Sequence, residues 1–368
     1  EWWSRAKDDF DDARALSQYR YQLPAFRDLY GIDFEQITDE QAAELNRRIF
    51  ANYRDQKWLY HVVTERANIE LMLNDRYWAS LDFQTYYPFE AIILNVSRLL
   101  SRGFHPSEFD ELSQDPYRFA RQQGLKLASL DDYVLVVDRV FQTAKEHGAV
   151  GLKLHTSRSL RFDSVEKERA ALAFGRPRKE LTPQQITDFQ DFMMWRLAEL
   201  SAKHDLPFQI HTGSHLEASN PLLLENLIAG NPKTKFILFH GGYPWVSETA
   251  AIAFAPHLSN VWIDSCWLPL LSYEMAKRAF HEWLDVVASD RIMWGADAEY
   301  AEGVYGATET TRRLLAEVLA ERVDEGNLRE EDALRIGRQI LRENALKLFP
   351  RLKERLWKQK GPLTPKKQ

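Results

Sequence analysis

Cysteine is almost absent. Cys266 stands alone among 368 residues, so the chain can form neither an internal disulfide nor a cysteine-rich zinc site. Long apolar runs are missing too, and none approaches the ~18–20 residues that a membrane-spanning helix needs. No glycine-rich nucleotide turn follows an early strand, which argues against a doubly wound dinucleotide fold. Excess positive charge is also lacking: the net charge is −6 and neither half is broadly basic, so a nucleic-acid footprint is excluded. The expected partner is therefore a small molecule, with no nucleic acid and no membrane; self-association is left open. The chain opens on "EWWSR" without an initiator Met, and no signal peptide is visible. A cytoplasmic location is the expectation.

What is present is a rhythm. Hydrophobic residues make up 45% of the chain, enough for the core of one large domain or two ordinary ones. Residues 1–66 read as helical, with Thr38 and Gln41 placed as a reciprocal capping pair. From Asn68 onward, short apolar runs alternate with amphipathic helices. The runs are "IELML" (69–73), "EAIIL" (90–94), "VGLKL" (150–154), "PFQIH" (207–211), "KFILFH" (235–240), "VWIDSC" (261–266) and "RIMWGAD" (291–297). Starts of the last four are separated by 28, 26 and 30 residues, the length of a strand, a helix and two loops. Helix signals agree: Ser129 with Asp132 and a Gly148 stop, then Thr182, Pro183 and Gln185.

Strands buried on both faces and each followed by a helix imply a parallel sheet. The fold expected is a (β/α)8 TIM barrel occupying residues 1–350, with a helical insertion at 1–66 and loop insertions near 101–128 and 156–181. Residues 351–368 read as a basic, frayed C-terminal tail. Only seven strands are counted, so the first is expected ahead of residue 1.

In a barrel the catalytic groups sit where strands end. The run ends carry Lys153 and His155, His211, His240, Asp264 and Asp297. Alternation along a strand puts Lys153 with His155, Gln209 with His211, and Gly295 with Asp297. Three imidazoles and a carboxylate at one mouth suit a divalent metal of the zinc type or an acid–base pair. Each signal alone is weak, since a histidine at a strand end is usually a core residue held by a hydrogen bond. Gly241 and Gly242 would let the backbone approach the site, and Pro244 would start the next helix. Lys153 reads by itself as a contact to a substrate carboxylate or as a structural ion pair. Arg158 or Arg161, in the charged loop 156–181, would face an anionic substrate. Trp267 and Tyr300 would wall the pocket.

The run "FQIHTGSH … NP … FILFHGGYPWVSETAAIAFAPHLSNVWIDSC … RIMWGADA" resembles the second large branch of the amidohydrolase superfamily. More narrowly it resembles the nodulin-like members, some of which are fused to a glutamine synthetase domain. "ILRENALKLFP" is similar to that family's closing helix. The resemblance covers roughly 145–350. It implies His211 as a metal ligand, His240 as a ligand or acid–base group, and Asp297 as the base that takes a proton from the attacking water and often touches the metal. It implies a divalent metal, with zinc expected, and adds a third reading for Lys153, since some members of the superfamily carboxylate a strand-four lysine to bridge two metals. Substrate contacts are expected from Lys153, His155, Arg158, His215 and Trp267. One departure stands out: the family's first strand ends in His-x-His, and no His-x-His occurs here. The missing pair coincides with the missing strand, so an upstream strand is the expectation and loss of the metal the alternative.

Three functions remain open. The first is a hydrolase of a C–N or C–O bond, of amide, γ-glutamyl or lactone type, in a small carboxylate-bearing substrate. The second is a non-oxidative decarboxylase or a uronate-isomerase-like enzyme, because these need the same groups. The third is a non-catalytic barrel.

Overall fold

Seven strands pair side by side in the order in which the chain makes them, all parallel. They are β1 (Met72–Asp75), β2 (Glu90–Asn95), β3 (Ala149–Leu154), β4 (Phe208–His211), β5 (Phe236–Phe239), β6 (Val261–Asp264) and β7 (Ile292–Met293). The computed structural model describes residues 2–75, 81, 83–110 and 114–356. Helices separate most successive strands, and the architecture is an α/β barrel. No helix among the described residues is long and apolar enough to cross a membrane.

Strand alternation sorts the side chains. Ile92, Leu94, Leu152, Leu154, Phe208, Ile210, Phe236, Leu238 and Ile263 face outward into the large core shared with the helices. Ala91, Ile93, Ile237 and Met293 face inward, where Leu346, Leu348, Phe349 and Leu352 close the floor. The inward series continues upward into polar residues: Asp75, Asn95, Lys153, Gln209, His211 and Asp264. Cross-strand register sets their height. Asn95 lies beside Lys153, and Lys153 beside Gln209, with His211 one step higher opposite Phe239. The barrel is thus apolar below and ionisable at its mouth.

Local signals explain the helix starts. Thr38/Gln41, Ser129/Asp132 and Thr182/Gln185 each form the reciprocal capping box, and Pro183 takes the first helical position. Each such cap is worth about 1 kcal/mol. Gly148, at φ +92°, ends the helix Leu130–Glu146.

Two insertions differ from expectation. Residues 101–128 are not all loop, because Pro116–Gln122 is a helix capped by Asp115, whose side chain accepts from the Tyr117 amide at 2.9 Å. Its polar residues mask an apolar face of Tyr117, Phe119 and Ala120, which is buried. Residues 156–181 carry a short helix, Lys167–Ala171, and two of their arginines turn toward the helix Pro183–His204: Arg169 pairs with Asp188 at 2.8 Å and Arg158 with Asp191 at 2.7 Å. The start of the C-terminal tail is packed rather than frayed, since Leu352 is buried and Arg355 Nη1 donates to the Glu90 carbonyl at 3.1 Å. Residues 357–368 of that tail lie outside the described residues.

Candidate active site

His211 ends β4 and points inward. Its Nδ1 lies 2.9 Å from His240 Nε2, and its Nε2 lies 3.2 Å from Ser214 Oγ. His240 follows β5 directly at φ +66° and is only 2% exposed. Its Nδ1 sits 3.2 Å from the Cys266 carbonyl oxygen. A carbonyl can only accept, so the proton belongs on Nδ1 and the Nε2 lone pair faces His211. Burial pushes the pKa of His211 down to about 2 and that of His240 well below the ordinary imidazole value, with the Lys153 charge adding to both. Both rings are therefore neutral.

Asp297 brings a carboxylate to the same place. Its Oδ2 is 3.9 Å from His240 Nδ1, and its side chain keeps 48% exposure at the mouth. Five of the non-glycine residues at positive φ close the ends of β4 to β7: Ser214, Leu216, His240, Trp267 and Asp297. Such conformations cost on the order of 1–3 kcal/mol each and persist where the surroundings over-determine them.

The glycines after His240 serve packing against helices rather than an approach to the site. A Cβ on Gly241 would lie 2.6 Å from the Trp283 ring, and one on Gly242 would lie 2.1 Å from Thr249 Oγ1. Pro244 does not start the next helix, which runs Val246–Phe254; the Tyr243–Pro244 bond is cis.

Lys153 lies beneath the histidines, 5% exposed, with Nζ 3.3 Å from the centre of the Phe239 ring. It makes no hydrogen bond or ion pair among the described residues, so the structural ion pair read from sequence is not formed. Burial lowers its pKa, against the raising influence of Cys266, Asp297, Asp75 and Asp264. The rings of His155 and His211 are 4.4 Å apart, and that of His215 is about equally far from both, at 6.0 and 6.1 Å. Trp267 stands edge-on to His240 at 5.7 Å. Tyr300 is at the rim, its hydroxyl 3.0 Å from that of Tyr21.

Arg158 is committed elsewhere. It pairs with buried Asp191, contacts Gln190 Oε1 at 3.3 Å and donates to the Arg161 carbonyl at 3.0 Å, while Arg161 pairs with Asp163. Arg158→Ala is expected to cost on the order of 3 kcal/mol in denaturant unfolding, because it strands a buried carboxylate. The KM for any substrate should stay as it was; a raised KM at unchanged stability would return Arg158 to the substrate.

Asp75 and Cys266 were not singled out as site residues from sequence, and Asp264 was named at a strand end without a role. Asp75 ends β1 and accepts from Asn95 Nδ2 at 3.0 and 3.1 Å, one on each oxygen. Its burial raises its pKa. Asp264, buried at the end of β6, is pushed up to about 6, mainly by desolvation. Cys266 completes the set. The signal available for Asp75 and Asn95 was a polar residue closing an apolar run, as for His211.

The donors fit a divalent ion. Ligand atoms of His155, His211 and His215 lie within 4.8 Å of one another, as do those of His240, Cys266 and Asp297. His211 and His240, 2.9 Å apart, join the two trios. Two neutral nitrogens at that spacing suit a shared ion with bonds of ~2.0–2.1 Å, and the Cys266 carbonyl orients one of them from behind.

Protein fluG of Emericella nidulans is 31% identical over 150 residues, a match covering 39% of this chain and only 17% of that protein's length. The uronate isomerase of Thermotoga maritima superposes with a TM-score of 0.74 at 16% identity, covering 92% of this chain and 80% of its own. A Lactobacillus casei protein provisionally named a metal-dependent hydrolase gives 0.69 at 18% identity, covering 94% and 87%. At such identities these two structures establish the fold alone. The family described as Amidohydrolase matches residues 112–351, more than half of the chain and the stretch that carries His155, His211, His240, Cys266 and Asp297, and the chain belongs to that family.

Proposed function

We propose that the chain is a metal-dependent hydrolase that cleaves a C–N or C–O bond, of amide, γ-glutamyl or lactone type, in a small carboxylate-bearing substrate. The observation that supports this is the line from His211 through His240 to Asp297 above the buried Lys153. His211, His240 and Asp297 would hold a divalent ion, zinc by preference for an imidazole and carboxylate set. When bound, such an ion polarises a carbonyl and acidifies water.

The chain's own groups do the rest. Asp297, exposed at the mouth beside His240, accepts the proton of the attacking water and passes it to the leaving group. The Cys266 carbonyl fixes the His240 ring. Lys153 supplies positive charge from below, and His155 and His215 line the side from which a substrate carboxylate would approach. Trp267 shields one wall from water.

The test is a metal analysis of the purified chain followed by a substrate screen with dipeptides, γ-glutamyl amides, lactones and aromatic acids. Metal-dependent release of an amine or opening of a lactone is expected. Loss of carbon dioxide from an aromatic acid, with no hydrolysis of the others, would replace hydrolysis by decarboxylation. Turnover unaffected by chelation would remove the metal from the mechanism.

A further inference from the structure

The turn after β6 brings the chain's lone thiol into the site. Cys266 is 1% exposed, and its backbone is tied down on both sides: its amide donates to Asp264 Oδ1 at 2.8 Å and its carbonyl faces His240 Nδ1 at 3.2 Å. The thiol itself makes no hydrogen bond among the described residues. Its sulfur, a nitrogen of His240 and an oxygen of Asp297 lie mutually within 4.8 Å. Opposite, the chain beyond β7 passes without a side chain, and a Cβ on Gly295 would come 3.4 Å from the sulfur.

A buried cysteine often does no more than fill space. Here the charged neighbours are two carboxylates, Asp264 and Asp297, and the Lys153 ammonium, beside an imidazole with only the opposite ring against its Nε2. With two carboxylates against one ammonium, and a nitrogen and an oxygen donor within 4.8 Å of the sulfur, that is a surrounding for a further cation rather than for a methyl-sized apolar group. Resting on the reading that this site holds a divalent ion, we infer that the Cys266 thiolate is one of that ion's ligands, alongside His240 and Asp297. On binding, the S–H bond breaks, the sulfur–metal bond forms, and the proton leaves to the buffer. The ligand set then contains nitrogen, oxygen and sulfur, and it selects zinc, cobalt or cadmium over magnesium and manganese.

The experiment titrates the chelator-treated chain with Co2+ and records its absorption. Visible Co2+ bands accompanied by a near-ultraviolet thiolate-to-metal charge-transfer band are expected. Cys266→Ser should keep the visible bands, lose the charge-transfer band, and bind Co2+ more weakly by roughly tenfold or more, since loss of a mere supporting partner already costs that much. Bound Co2+ with visible bands but no charge-transfer band in the unaltered chain would overturn the inference and leave the metal reading standing. A charge-transfer band that survives in Cys266→Ser would also overturn it. No Co2+ binding at all would overturn both. The spectrum of the unaltered chain decides the matter even if the variant fails to fold.

Discussion

Asp297→Asn is expected to reduce turnover by at least ~10²-fold, and by as much as ~10⁴-fold, while the protein keeps much of its metal. General base catalysis is typically worth that factor. The amide is nearly isosteric with the carboxylate, so the turn at φ +53° and the approach to His240 should survive the change. What disappears is the group able to accept a proton. The effect should fall on kcat more than on KM, because the lost interaction forms only as the proton moves. Steady-state kinetics and metal content must be measured on the same preparation. Near-normal turnover in a metal-loaded Asp297→Asn protein would end the proposed mechanism and favour a barrel kept for binding.

His211→Ala should fail differently. It removes an imidazole whose Nδ1 lies 2.9 Å from His240 Nε2, so one ligand is lost and the other loses its neighbour. Metal affinity is expected to drop by ~10²-fold or more, given that outer partners alone account for 10–100-fold. Activity should fall with the metal and return in part when excess Zn2+ is supplied. The two substitutions thus separate two roles: a loaded but slow protein for Asp297, and an empty one that extra metal partly rescues for His211. If His211→Ala binds metal as tightly as the parent, His211 is not a ligand and the trio around His240 must hold the ion without it.

How much of this was legible beforehand follows from the range of the forces involved. Helix starts at Thr38, Ser129 and Thr182 are decided by groups three residues apart, and all three capping boxes form as read. Strand positions follow from apolar runs bounded by turns, and the steady 28-, 26- and 30-residue spacing leaves few folds besides the barrel. Placing His211 at the end of β4 and His240 directly after β5 needed only that spacing and the inward–outward alternation, whereas Asp297 lies four residues past β7 at φ +53°, where strand alternation does not reach. The helix Pro116–Gln122 was obscured because seven residues are fewer than two full turns, too short for a helical period to stand out, and Arg118 and Arg121 interrupt its apolar residues.

Partner choice was not legible, because it depends on register and on which neighbour arrives in space. Arg158 reads as a free cation until the helix Pro183–His204 sets buried Asp191 against it, where leaving either charge unpaired would cost several kcal/mol. Lys153 reads as a candidate ion pair until β5 lays Phe239 under its ammonium group. Asp75 and Asn95 meet only because β1 and β2 are parallel in a stagger that places both at the rim. Cys266 looks like a redox detail in one dimension; in three it lies beside His240 and Asp297. The sequence by itself determined the barrel and the residues that end its strands, because capping and alternation act between near neighbours along the chain. Only the tertiary structure decided which charge meets which, because desolvation and Coulomb energies depend on distances between groups far apart in sequence.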